Sequence, residues 1–162
     1  MFEPSPDSFA VRTWVDSPEG QNRLLVLKVI CAALPFGVLL FLAATLFVSP
    51  FREKDGQPDW LLVGVGTVVF ALSAGASFFI GGFLPKQGST DPVSLANNAQ
   101  TQWIISYALL EGPAFLCLVL SLAVASNLEK GILMGMAIGL LLLMILRFPT
   151  RTRFLAAMGA SD

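Results

Sequence analysis

The chain has 162 residues, of which 55% are hydrophobic and 13% charged, with a net charge of −1; soluble domains carry about 25% charged residues. Its charges gather between long apolar runs and form no basic face, so nucleic acid is excluded as an expected partner. Histidine is absent and the two cysteines, Cys31 and Cys117, fall inside apolar segments, which excludes a Cys/His zinc site and argues against a disulfide framework.

Residues 1–23 are rich in Pro, Ser and acidic side chains and read as a surface tail, with a short amphipathic piece around Phe9–Trp14. They do not read as a signal peptide. The first apolar run starts late, has full span length, and no small-residue cleavage pattern follows it.

A helical membrane span needs about 20 mostly apolar residues. Residues 24–48 meet that length, with Lys28 near the start able to snorkel to the interface. Residues 60–84 form the second expected span and 102–125 the third. Residues 131–148 form a shorter fourth, and 149–162 a short basic tail. Prolines and charges mark the breaks at Ser49-Pro50, Arg52-Glu53-Lys54-Asp55, Pro85-Lys86 and Glu129-Lys130. Trp60 and Trp103 stand at span ends, as interfacial aromatics do. The second and third spans are joined by a polar loop of about 15 residues.

The fold class expected is therefore all-α, a polytopic membrane protein built as a four-transmembrane-helix bundle. Arg12, Arg23, Lys28, Lys86, Arg147, Arg151 and Arg153 lie on one side of this topology, and Arg52, Lys54 and Lys130 on the other. That asymmetry predicts both termini and the long loop in the cytoplasm, in the inner membrane of a bacterium. The run Arg147-Phe-Pro-Thr-Arg-Thr-Arg153 reads as a cationic interface anchor.

Glu111 is the one charged residue in the interior of these segments, almost midway along the third. Placing an ionisable group at that depth costs roughly 2.5–3.5 kcal/mol on insertion scales, which makes it a functional candidate. Its helical neighbours are Tyr107, Ala108, Ala114, Phe115 and Leu118. Pro113 has no N–H for the carbonyl of Leu109, and Gly112 with Pro113 is expected to kink or loosen the helix. Away from water the uncharged form of a carboxyl is favoured, and a neutral, reversibly ionised Glu is what a proton carrier requires.

If the second and third spans form an antiparallel hairpin, Glu111 falls level with about residue 75. Ser73 and Ser77 then become candidate partners in an ion-binding site with Glu111. The same stretch, Ser73, Ser77 and Gly81 at four-residue spacing, also reads as a small-residue helix-packing repeat. Both readings stand, as does a purely structural, hydrogen-bonded Glu111.

The segment Gln102-Trp-Ile-Ile-Ser-Tyr-Ala-Leu-Leu-Glu111-Gly-Pro-Ala-Phe-Leu-Cys-Leu-Val-Leu is similar to the ion-binding helix of the rotary ATPase proteolipid (c or K subunit) family. Leu62-Val-Gly64-Val-Gly66 and Ser73-Ala-Gly75 resemble a diluted form of that family's glycine-rich helix. The resemblance covers about residues 60–125 and implies an oligomeric proton-handling subunit, with H⁺ favoured because Gly112 stands where sodium-binding members usually place a hydroxyl. Val68, Val69 and Phe70 break the glycine repeat, and the loop lacks the family's short Arg-containing turn. The chain resembles more closely uncharacterised four-span bacterial membrane proteins with an Ala-Leu-x-Glu-Gly-x-Ala-Phe helix and a Phe-Pro-Thr-Arg tail. That resemblance brings no activity with it.

Three functions follow as expectations. The first is a proteolipid-like, proton-handling subunit in a homo-oligomer or with other membrane subunits. The second is a non-catalytic accessory or scaffold subunit, and the third a small proton-coupled exporter, which would want cage aromatics beside the carboxylate. No nucleophile–base pair is visible in the apolar segments, so neither an enzyme nor a cofactor is expected.

Overall fold

The computed structural model describes residues 8–49, 60–83 and 91–160, the side chains of residues 8 and 80–83 excepted. Arg52, Lys54 and Lys86, which entered the charge asymmetry, lie outside the described residues, as does most of the expected loop after residue 84. Among the described residues six α-helices follow one another: α1 Ser8–Asp16, α2 Pro18–Val48, α3 Trp60–Phe83, α4 Pro92–Ala123, α5 Asn127–Leu146 and α6 Arg151–Ala157. Among the described residues there is no strand, and the fold is all-α.

Local chemistry sets the helix starts. Ser17 accepts a hydrogen bond from the Gly20 amide with Pro18 opening α2, and Asp91 accepts from the Ser94 amide with Pro92 opening α4. Ser126 and Glu129 close a reciprocal capping box on α5, and Thr150 accepts from the Arg153 amide to start α6. Each cap satisfies an amide that the first helical turn leaves without a partner.

The Asp91 cap moves the start of α4 well ahead of the expected span start at Gln102. The added turns carry Asn97, Asn98, Gln100 and Thr101. An apolar-length criterion stops before such residues, although they propagate a helix whose cap lies outside the apolar window.

α4 is the central element, packed against α2, α3 and α5. Its buried residues Tyr107, Leu110, Ala114, Cys117, Leu118 and Ser121 recur at three- and four-residue spacing along one face. Leu133, Met134, Ala137, Leu140, Leu141 and Met144 do the same on α5. The outer faces are apolar as well: Phe47, Val68, Leu72, Phe79, Val119 and Leu142 are exposed. Helices that are apolar all round need hydrocarbon outside them, and four of the six are long and apolar enough to cross a membrane.

The residues read as tails depart from that expectation. Val11 and Val15 of α1, and Phe154, Leu155, Met158 and Ala160 at the C-terminal end, belong to the same buried cluster as the bundle interior. An amphipathic piece as short as α1 has no core of its own and gains stability only by packing, which composition in a short window cannot register. Arg151 closes the two terminal helices together through bonds of 2.9 and 3.0 Å to the carboxylate of Asp16.

The C-terminal carbonyls of α5 are capped partly by the residues that follow and partly by other elements. The Arg147 amide bonds the Leu143 carbonyl and the Phe148 amide the Ile145 carbonyl. The Tyr107 hydroxyl, on α4, donates to the Met144 carbonyl at 2.7 Å, and the Arg153 guanidinium, on α6, donates to the Leu146 carbonyl. A phenol and a cation thus take carbonyls that a helix end leaves unpaired, with the positive charge at the negative end of the dipole.

Candidate functional site

Glu111 lies on α4 between the buried Tyr107 and Ala114, and is itself half-buried. Its neighbour across the bundle is α2. A Cβ added at Gly37 would lie 4.0 Å from Glu111 Oε1 and 3.8 Å from Phe115 Cζ. Glycine at position 37 therefore leaves the surface of α2 free for the carboxyl and the ring to lie against. Phe115 meets Phe41 of α2 edge to face, with ring centroids 5.4 Å apart and planes at 73°, a favourable aromatic geometry.

Both helices carry a proline at this contact. Pro35 stands two residues before Gly37, and Pro113 two residues after Glu111. Each removes an amide, so the carbonyls of Cys31 and Leu109 lose their ordinary i+4 donors. α4 nevertheless runs as one helix through Gly112 and Pro113. A Cβ at Gly112 would meet open space, and Ala108 and Gly112 are both exposed. The carboxyl thus sits at the border between the α2–α4 seam and the outward face of α4. Among the described residues it accepts no hydrogen bond and joins no ion pair.

The α3–α4 pair is antiparallel. A Cβ at Gly66 would lie 3.8 Å from both Cys117 Sγ and Leu120 Cδ1, while Ser77 shares a cavity with Gln102, Trp103, Ser106 and Tyr107. This register brings the part of α3 near Ser73 to the depth of Glu111. The structure does not bring either serine hydroxyl onto the carboxyl. Ser77 is buried, donates to the Ala74 carbonyl at 2.7 Å and accepts from Arg147 at 3.0 Å. Ser73 is half-buried on α3. Close approach on α3 occurs instead at Gly66, where a Cβ would come within 2.5 Å of Leu133 Cδ2; Gly75 faces open space.

Sequence reasoning assigned Glu111 its partner from the helix nearest in the chain and passed over Pro35-Phe36-Gly37. The available signal was a proline and a glycine two residues apart in the middle of an apolar run, matched by Gly112-Pro113 in another. A helix that gives up a hydrogen bond and a side chain at one depth is a natural place for a polar group to be received.

Among the described residues six helices, four of them long and apolar enough to span a bilayer, define an all-α multi-pass membrane protein. Comparison with protein-family models, curated proteins and solved structures gives no match for this chain.

Proposed function

We propose that this protein is a proton-handling subunit of a membrane complex, in which Glu111 takes up and releases the proton. One observation carries the reading. The carboxyl lies mid-span without a hydrogen-bond or ionic partner among the described residues, at the edge of an outward helix face. A carboxyl kept only for structure is normally satisfied across its bundle, because an unpartnered polar group away from water is costly. Here the unsatisfied carboxyl is presented instead to whatever packs on α4, a second copy or another membrane subunit. The proteolipid resemblance supports the same role. Gly37 and the turn around Pro113 supply the room in which the group changes state, and no catalytic reaction is assigned to the chain. Ser77 has no part in this role, because its hydroxyl is engaged with Arg147.

The test is labelling by dicyclohexylcarbodiimide, which modifies protonated carboxyls in apolar surroundings, in native membranes across about pH 5 to 9. Labelling that falls as pH rises and is absent in Glu111→Gln supports proton exchange at this site. Absence of labelling at every pH returns Glu111 to a sealed structural role, and the accessory-subunit reading then replaces the transport one.

A further inference from the structure

The arginine-rich end of the bundle holds a second feature, away from Glu111. A cavity of about 280 Å³ opens between α3, α4, α6 and the end of α5, lined by Ser77, Gln102, Trp103, Ser106, Tyr107, Arg147, Arg153 and Ala157. Two of these side chains are cationic, four others carry hydroxyl or amide groups, and none is acidic.

The two guanidiniums are only partly used by the protein. Arg147 donates from Nη1 to the carbonyl and the hydroxyl of Ser77, and its guanidinium carbon lies 3.9 Å from the Phe78 ring centroid. Arg153 donates from Nη1 to the carbonyls of Leu146 and Phe148. Backbone and hydroxyl acceptors hold each group in place through one nitrogen, leaving Nε and Nη2 of both without a partner among the described residues. Neither meets a carboxylate there, whereas Arg23 and Arg151 pair with Glu19 and Asp16. A charge asymmetry that only orients a chain in the membrane needs basic residues on one side. It does not need two of them fixed around one acid-free cavity beside neutral donors.

We propose that this cavity binds a phosphate group at the membrane interface. The planar forks of Arg147 and Arg153 match phosphate oxygens in geometry as well as charge. Gln102 and Ser106 add neutral donors from α4, and Trp103 provides an amphipathic wall of the kind that suits the headgroup level. The phosphate is either the headgroup of an anionic phospholipid or a free phosphate, since both present the same oxygens.

The experiment is native mass spectrometry of the purified full chain titrated with phosphatidylglycerol or phosphatidylcholine, with a parallel thermal-shift titration by inorganic phosphate. Retention of phosphatidylglycerol over phosphatidylcholine identifies a lipid headgroup, and stabilisation by inorganic phosphate alone identifies a soluble ligand. Arg153→Gln changes an exposed side chain and is expected to weaken either binding by about fivefold or more, the worth of one interfacial cation. Gln102→Leu removes a lining donor without altering net charge and is expected to weaken binding further than a purely electrostatic surface would allow. Equal retention of both lipids with no response to phosphate overturns the proposal. So does binding that neither variant weakens.

Discussion

Glu111 of α4 lies against Gly37 of α2, its Oε1 4.0 Å from the position a Cβ at residue 37 would occupy. The contact joins the one charged residue in the interior of the apolar segments to the one glycine in the apolar part of α2. It also makes the candidate site a property of two helices that are not neighbours in the chain, with α3 between them.

Substitution at Gly37 therefore acts on Glu111 without touching it chemically. Gly37→Ala adds a methyl group at ordinary van der Waals distance and is expected to leave both folding and carbodiimide labelling unchanged. Gly37→Leu extends into the space of the carboxyl and the Phe115 ring, and should slow labelling of Glu111 several-fold. The rate of label incorporation, compared at equal thermal stability, checks this.

Packing between α3 and its neighbours depends on Gly66 rather than on the serine-rich stretch that follows. Gly66→Val is expected to destabilise the protein by about 1–3 kcal/mol, the usual cost of forcing volume into a filled contact. Leu133, whose methyl the new side chain would strike, is fully buried and must shift against its neighbours to make room. Gly75→Val, facing open space, should change stability far less. Thermal unfolding of the detergent-solubilised variants separates the two.

Tyr107→Phe removes the hydroxyl that caps the Met144 carbonyl while keeping the ring in the core. The expected loss is about 0.5–1.5 kcal/mol, concentrated at the C-terminal turn of α5. Faster hydrogen exchange of amides around residues 144–148, with little change elsewhere, is the signature to look for.

The N-terminal cap of α4 carries a pH dependence. Hydrogen bonds from the backbone and side chain of Ser94 hold the exposed carboxyl of Asp91 below its ordinary range. A lowered folded-state pKa means the cap contributes fully above the unfolded value and is lost as pH falls through the folded one. Amides of the first turn, residues 93–95, should therefore fray on acidification below about pH 4. Asp91→Asn should abolish that pH dependence while retaining a cap, and Asp91→Ala should fray the turn at every pH. Hydrogen exchange across this pH range reads all three.

Much of the architecture was legible without coordinates because it follows from one-dimensional quantities. Four apolar runs of span length, broken by prolines and charges, can satisfy their backbone in a bilayer only as helices. Glu111 was legible for the same reason, since a carboxylate inside such a run stands out against its neighbours. The amphipathic piece around Phe9–Trp14 marked α1, but the docking of the small terminal helices on the bundle was not legible. Val11, Val15, Phe154 and Leu155 are too few and too local to reveal a core that exists only when both chain ends meet the bundle.

The class of protein, the apolar helices and the depth of the candidate carboxylate follow from the residues in order, because hydrophobic length and helical periodicity are written along the chain. Which helix face Glu111 meets, the pairing of Ser77 with Arg147, and the cavity that Arg147 and Arg153 share emerge from the packing of the helices. In apolar helices the hydrophobic pattern is nearly uniform around the axis, so periodicity does not select the packing face. That choice rests on close approach at Gly66, on the open surface at Gly37 and on the few polar groups that must find partners.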